Sequence, residues 1–135
     1  MNSHIVVCFH HRGRPGEKDD SAAGASAIVR RALALGGRVI AWHAADVAIE
    51  FGLEAIDDAI ELVTEDGETG KRSAVPARFS VGIAEGALEE LVELGAHASL
   101  ARGAALERAG VLAHVARAGE ILRQVEPEDL LRFGL

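Results

Sequence analysis

The segment covering residues 79–122 constrains the fold of this chain more than any other. It opens with FSVGIAEG, in which large apolar residues alternate with small or polar ones, the period of a strand with one large-residue face. Residues 104–117 are rich in alanine and place their apolar side chains at helical spacing, and Gly119 then ends the helix. Residues 120–125 are mostly apolar and predict a last strand. The segment therefore predicts strand, helix and strand.

The first half of the chain predicts a strand, a helix and a hairpin. Residues 5–9 are a continuous apolar, β-branched run, which is typical of a strand covered on both faces. Residues 25–35 repeat apolar side chains at helical spacing, and the Gly-Gly pair that follows is a typical helix end. Residues 38–42 and 47–51 are two apolar, branched segments, and the short interval between them predicts an antiparallel hairpin.

Four further segments complete the secondary-structure prediction. Residues 53–63 form the clearest amphipathic helix of the chain. Residues 64–77 mix charges of both signs with two glycines and a proline, and they predict a connecting loop. Residues 87–94 fit either a helix or a strand, and we favour the strand. Pro127 predicts the start of a short terminal helix that runs to about Arg132, because proline is favoured in a first helical turn.

The order of these elements predicts the fold class. Strand, helix, strand, strand, helix, strand is the split βαβ or ferredoxin-like plan, here with an extra helix and strand appended. This plan is α+β, with a mostly antiparallel sheet and helices on one face. The chain has 135 residues, of which 49% are hydrophobic and 26% are charged, and it therefore predicts a single domain over residues 1–135.

Charge and composition exclude several classes of partner. The formal net charge of −7 argues against nucleic acid, because binding to a phosphate backbone needs clustered lysine and arginine. No stretch approaches the roughly 18 apolar residues of a membrane span, so no membrane contact is expected. The single cysteine, Cys8, cannot form an internal disulfide, which fits a reducing cytoplasm. Because Cys8 lies inside an apolar strand, we expect it to be buried and inert.

Four features in a fixed order carry a resemblance to a known family. They are the Gly-Gly pair before the hairpin, the hairpin ending in Phe51, the VGIAEG strand, and the pattern of residues 109–122 that ends in GEIL. With these features the chain resembles the class III adenylate/guanylate cyclase homology domain over residues 5–125. The resemblance implies the cyclase-like fold and pairing through the sheet and hairpin face, so Trp42 is expected in the core or at a dimer face.

The resemblance also implies where the catalytic residues of the family would stand. The two metal-binding aspartates fall on His10 and Ala45, and the purine-selecting lysine falls on Ala41. The asparagine and arginine that stabilise the transition state fall on Glu107 and Val111. Every catalytic position is therefore replaced, and we expect a degenerate domain with no catalytic residues, no cofactor-binding residues and no cofactor.

The chemistry of cyclisation makes these replacements decisive. Two divalent ions about 4 Å apart, bridged by carboxylates, activate the ribose hydroxyl and neutralise the leaving pyrophosphate. Magnesium demands oxygen ligands, which His10 and Ala45 do not supply. The expected function is therefore not enzymatic. The chain resembles the degenerate cyclase domains that accompany Ser/Thr kinases and large regulators in some bacteria, which implies a regulatory or scaffolding module acting through protein contact, with itself or with another protein.

The alternative is a sensor that retains a nucleotide or a metal in the vestigial site. The first strand and the hairpin tip adjoin in the implied fold, so His10, His43 and Asp46 are candidate ligands for zinc or another transition metal. The same histidines fit strand ends that face solvent, and both interpretations stay open. The segment GETGKRS, residues 67–73, lacks the spacing of a phosphate-binding loop and predicts a flexible turn instead.

Overall fold

The structure is a computed structural model that describes residues 3–12, 21–43, 46–75, 78–124 and 130–133. The strands in these ranges are β1 (Ser3–His11), β2 (Arg38–His43), β3 (Asp46–Gly52), β4 (Thr64–Gly67), β5 (Gly70–Ser73), β6 (Phe79–Ala87), β7 (Glu89–Gly95), β8 (Ala98–Arg102), β9 (Ile121–Gln124) and β10 (Leu130–Phe133). The helices are α1 (Ser21–Ala34), α2 (Ile56–Val63) and α3 (Ala104–Val115), and a 3-10 turn at Leu53–Ala55 precedes α2.

Eight of these strands form one sheet in the order β10-β9-β6-β1-β3-β2-β8-β7. The four central strands, β6, β1, β3 and β2, pair antiparallel throughout, which is the ferredoxin-like arrangement. The added strands β9 and β8 pair parallel with β6 and β2 respectively. The predicted α+β, ferredoxin-like fold is therefore confirmed, with β1 between β3 and β6 at the centre of the sheet.

The apolar run of β1 explains its central position. Ile5, Val7 and Phe9 point to one face of the sheet and Val6 and Cys8 to the other, because side chains alternate along a strand. All five side chains are buried. A strand without a polar face is stable only when both faces are covered, and β1 accordingly separates two apolar clusters.

The helices divide between the two faces of the sheet. Both α1 and α2 pack against the face that carries Ile5 and Phe9, as the ferredoxin-like plan implies. The third helix, α3, lies outside that plan and packs against the opposite face, with Val6 and Cys8. The prediction of helices on one face thus describes α1 and α2 only. Within the described ranges, no helix has the length and apolar character needed to cross a membrane.

The interval after α2 differs from the prediction. We expected a loop over residues 64–77, but β4 and β5 form a separate two-stranded antiparallel ribbon. Across the ribbon, Arg72 Nε donates a hydrogen bond to Glu65 Oε1 at 2.9 Å. The ribbon lacks an alternating apolar face, so its strands give none of the sequence signal that identifies a half-buried strand. The GETGKRS segment, which we expected to be a flexible turn, instead comprises the last residue of β4, the turn and the whole of β5.

In the last third of the chain the structure confirms one predicted strand, adds a strand that was not predicted and replaces a predicted helix with a strand. Residues 87–94 were predicted as a strand, and β7 occupies most of them. No strand was predicted where β8 lies, although it pairs with β7 in an antiparallel hairpin. The predicted terminal helix is wrong over Leu130–Phe133, which form β10 and pair with β9. The start of that prediction, at Pro127, falls in residues 125–129, which lie outside the described residues. Pairing with an open sheet edge has overridden the local preference for a helical turn.

Close contact between α3 and β6 depends on Gly82. A Cβ atom at this position would lie 2.5 Å from the backbone nitrogen of Ala113 and 2.7 Å from Cβ of Leu112. The helix presents the small buried side chains Ala105, Ala109 and Ala113 to the sheet. Small residues on both surfaces therefore let the backbones approach, and this approach sets the position of α3.

We expect Gly82→Ala to destabilise the protein by about 3 kcal/mol, because the added methyl group overlaps the helix backbone, which cannot move aside without opening the core. The matched control is Gly110→Ala within α3, where an added Cβ meets nothing within 4 Å. The control should gain up to about 1 kcal/mol from helix propensity. Urea unfolding followed by circular dichroism measures both, and equal stabilities for the two variants would contradict this packing.

The buried thiol of Cys8 gives a second prediction. Burial and the nearby Asp46 carboxylate raise the pKa of Cys8 to about 12. Because the thiolate is the reactive form, alkylation by iodoacetamide at pH 8 should be at least about 10³-fold slower in the native protein than in urea-unfolded protein. Similar rates in the two states would show that Cys8 is neither buried nor neutral.

Candidate functional site

A cleft of about 140 Å³ lies between α3 and the ends of β1, β2 and β3. Its wall is mostly apolar, with a few polar side chains at one end. The lining residues are Cys8, Phe9, His10, Ala41, His43, Asp46, Val47, Ala48, Leu106, Gly110, Ala113 and His114. Apolar walls with a few convergent polar groups are typical of ligand-binding clefts in proteins.

The hairpin places Asp46 beside the end of the first strand. Phe9 pairs with Val47 in the β1–β3 ladder, so the neighbouring residues His10 and Asp46 come together at the strand ends. His10 Nδ1 lies 3.0 Å from Asp46 Oδ1, within hydrogen-bond distance. The backbone N–H of His11 also donates to Asp46 Oδ1, at 3.3 Å. The predicted proximity of the first strand and the hairpin tip is therefore observed.

A third polar side chain reaches the same point from α3. The imidazole ring of His114 stacks on that of His10, with ring centroids 4.0 Å apart and an angle of 25° between the planes. His114 Nδ1 lies 2.9 Å from the carbonyl oxygen of Gly110, and it donates that hydrogen bond because a carbonyl can only accept. His114 Nε2 is consequently the nitrogen that presents a lone pair when the ring is neutral.

Two side chains fix the end of α3 against the sheet. The Ser80 hydroxyl is fully buried and donates to the carbonyl oxygen of Ala113 at 2.6 Å. Arg12 Nε donates to Ser80 Oγ at 3.1 Å, and the same guanidinium also donates to the carbonyl oxygen of His114. These bonds satisfy carbonyl groups that the helix end leaves without intrahelical partners. They also hold the backbone of His114 at a fixed place relative to β1 and β6.

The polar groups of His10, Asp46 and His114 form one cluster. One ligand-type atom from each of the three residues lies within 4.8 Å of the others. His43, the third metal candidate from the sequence, lines the cleft but is not part of this cluster. His114 was not predicted, although it lies eight residues after Leu106 and so on the same helical face, a signal that helical spacing contained.

Where described, the catalytic positions implied by the cyclase resemblance lie on two different surfaces of the structure. His10 and Ala41 line the cleft, whereas Ala45 lies outside the described residues. Glu107 and Val111 are exposed and line a different, shallow depression on the other side of α3. The cleft and the transition-state positions are therefore distinct surfaces of this chain.

The electrostatics of the cleft do not favour polyanions. Asp46 supplies a carboxylate, and no lysine or arginine is present among the described residues of the lining. Cys8 also lines the cleft, and its raised pKa of about 12, caused by burial and by the Asp46 carboxylate, keeps the thiol neutral at physiological pH. The described lining of the cleft thus combines a neutral thiol, imidazole rings and a carboxylate.

Apolar side chains are exposed on an extension of the sheet made by β7 and β8, residues 89–102, which we call the β7–β8 arm. Every residue of β7 is exposed. The exposed large apolar residues of the arm are Leu91, Val92, Leu94 and Leu100, with relative exposures between 48% and 59%. Trp42, on the adjacent strand β2, is 49% exposed, so it is not a core residue.

No protein-family model matches the sequence, and no curated protein matches it. Among solved structures, the adenylyl cyclase CyaB from P. aeruginosa is similar at a TM-score of 0.61 and 14% identity, over 90% of this chain and 76% of that chain. Adenylate cyclases from Trypanosoma brucei in their monomeric state are similar at a TM-score of 0.63 and 13% identity, over 90% of this chain and 73% of that chain.

A third similar structure is the dimeric guanylyl cyclase domain of the RhoGC fusion protein from the aquatic fungus Blastocladiella emersonii. It matches at a TM-score of 0.60 and 13% identity, over 91% of this chain and 79% of that chain. Each likeness covers nine tenths of the present chain at low identity, so it concerns the fold. The chain has the fold of class III adenylyl/guanylyl cyclase domains, as the resemblance in its sequence predicted.

Proposed function

We propose that this chain is a catalytically inactive cyclase-like module, regulatory or scaffolding, that acts through protein–protein contact in bacterial signalling. The observation that carries the proposal is the composition of the cleft. Imidazole and alanine side chains stand where nucleotide cyclisation needs paired carboxylates and cations.

The cleft is poorly suited to the two metal ions of a cyclase. Bridging two divalent ions about 4 Å apart takes at least two carboxylates, and magnesium accepts oxygen ligands in a near-octahedral shell. Here the described lining offers the carboxylate of Asp46, which already lies within hydrogen-bond distance of His10 Nδ1 and of the His11 N–H. The nitrogen of His10 is a poor substitute for the missing carboxylate.

The cleft and the implied transition-state positions on the other side of α3 are both poorly suited to a triphosphate. Lysine and arginine are absent from the described lining, so the cleft supplies no side-chain cation to a phosphate. Val111 stands where the resemblance implies a cation at the transition state, and losing one such electrostatic donor costs about 10²- to 10³-fold in rate. Glu107, at the other implied transition-state position, adds a negative charge to an acidic chain.

Exposed apolar side chains support a role in protein contact. The β7–β8 arm exposes four large apolar residues, of which Val92 and Leu100 are paired across the two strands, and exposed apolar surface concentrated in one region marks interaction sites on soluble proteins. Trp42 extends the same region, because β2 and β8 are neighbours in the sheet. Structures of the similar RhoGC domain include a non-canonical dimer and a monomer, so the fold is compatible with self-association as one form of this contact. The proposed surface therefore comprises the arm and the hairpin near Trp42.

The second candidate function is a non-catalytic sensor that binds a nucleotide or a metal in the vestigial site. The nucleotide form is disfavoured by the absence of cations from the described cleft lining. The metal form is favoured by a specific observation, the cluster of His10, Asp46 and His114. Thermal-shift measurements distinguish the candidates, because a ligand that binds only the folded state raises the melting temperature.

We expect no cyclic nucleotide from purified protein supplied with ATP or GTP and either magnesium or manganese, because the cleft has neither the carboxylates nor the cations of the reaction. Product is measured by liquid chromatography with mass detection, and an active cyclase assayed in parallel confirms the conditions. Product above the level of a protein-free blank, reduced by His10→Ala in the same preparation, would overturn the proposed inactivity. The His10→Ala variant distinguishes the activity of this chain from the activity of a contaminating cyclase.

We expect the protein to form dimers at high concentration through the β7–β8 arm. Removing the two exposed leucines of β7 in Leu91→Ser/Leu94→Ser should weaken association at least about tenfold, since burying the exposed half of each side chain contributes about 1 kcal/mol. The control is Leu53→Ser, a leucine outside the arm that is also partly exposed, at 44%. Light scattering over a concentration series gives the association constant. A wild-type monomer at every concentration, or equal effects of both changes, would contradict self-association through this surface.

A further inference from the structure

We propose that His10, Asp46 and His114 form a mononuclear transition-metal site, with zinc as the reference ion. This inference deepens the second candidate function and rests on it. It differs from the set His10, His43 and Asp46 expected from the sequence, because the structure assigns the third ligand to His114 on α3. The site therefore joins the first strand, the hairpin tip and the third helix.

The donor set selects the class of metal. Two imidazoles and one carboxylate match zinc and related transition metals, which accept nitrogen and oxygen together. Magnesium and calcium prefer oxygen donors and are disfavoured by two nitrogens. The negative charge of Asp46 in a mostly apolar cleft favours a divalent cation, since an apolar wall screens that attraction weakly.

One of the two histidines, His114, is already oriented by a second hydrogen bond. Histidines that bind metals usually donate their other ring N–H to a carbonyl or carboxylate group, which fixes the tautomer and the ring orientation. His114 makes this bond through Nδ1 to the Gly110 carbonyl oxygen, leaving Nε2 for the metal. Ser80 and Arg12 hold the helix end that carries His114, so the ligand is supported by buried structure.

The spacing of the cluster is close to that of a metal site. Ligand atoms of a tetrahedral zinc ion with bonds of 2.0–2.1 Å lie about 3.3 Å apart. His10 Nδ1 and Asp46 Oδ1 are 3.0 Å apart, nearly the required separation, and zinc bound there would replace the hydrogen bond between them while the ring proton of His10 moves to Nε2 or to solvent. No pair in the cluster exceeds 4.8 Å, and the remaining contraction of about 1.5 Å lies within the reach of side-chain rotation. Three protein ligands leave a fourth position beside the cleft, as in open zinc sites.

The test is calorimetric titration of the intact chain with zinc chloride. Wild-type protein should bind one equivalent. His114→Ala and Asp46→Asn should each lower the affinity more than about 100-fold, since even outer residues of metal sites contribute 10- to 100-fold. His114 is exposed, so its replacement should leave the fold intact, which circular dichroism verifies.

Two control variants make the experiment specific. His97→Ala removes an exposed histidine in the turn between β7 and β8, and His43→Ala removes the cleft histidine outside the cluster. Both should leave zinc affinity unchanged, and excess magnesium chloride should not compete. Cobalt(II) should give the visible absorption of a four-coordinate ion in wild-type protein, and His114→Ala should abolish it.

Three results would each overturn the assignment: no heat of zinc binding to the wild type, affinity retained in His114→Ala, or an equal loss in His97→Ala. Loss in His43→Ala with affinity retained in His114→Ala would restore the set expected from the sequence. These measurements do not depend on cyclase activity or on dimerisation. If zinc does not bind, light scattering still tests the protein-contact function. If the protein does not self-associate, calorimetry still tests the zinc site.

Discussion

The close approach of α3 to the central sheet is the constraint on which the rest of the structure depends. Gly82 has no side chain between β6 and α3, and α3 packs a face of buried alanines against it. The two backbones are therefore in direct contact. A separation set by backbone contact varies little, because close-packed interiors resist compression. The helix end is then fixed by Ser80 and Arg12, and this places His114 over His10 across the cleft.

This scaffold is shared with class III cyclase domains, whereas different side chains occupy the positions that the resemblance implies to be catalytic. The ladder between β1 and β3 brings His10, at one implied metal-binding position, to Asp46, which follows the other implied position, Ala45, by one residue. The fold thus still brings the end of β1, the tip of the β2–β3 hairpin and α3 close together. A third group, His114, enters from the helix face rather than from the positions that the resemblance implies. Fold and reaction are separable because a site depends on a few side chains, while the fold depends on the packing of many.

Sequence patterns predicted the parts of the fold that packing decides. The apolar run around Val6 predicted a central strand, and helical spacing predicted α1, α2 and α3. The β4–β5 ribbon and β10 were missed because hydrogen bonding to a neighbouring strand stabilises them, and such pairing leaves no local pattern. The proximity of His10 to Asp46 was predicted from the fold that the resemblance implies, in which the first strand and the hairpin tip adjoin. Helical spacing places His114 on the face of α3 that carries Leu106, but its distance from β1 depends on how closely α3 packs, which no sequence period encodes.

We have proposed that a cyclase-like scaffold presents a His–Asp–His cluster in place of a nucleotide site. An anomalous difference map at the zinc absorption edge, from crystals grown with zinc, magnesium and GTP together, tests this proposal. We expect one strong peak in the cleft, about 2.0–2.2 Å from ligand atoms of His10, Asp46 and His114. Nucleotide density in the cleft, or a zinc peak bound to other side chains with none at this cluster, would contradict it.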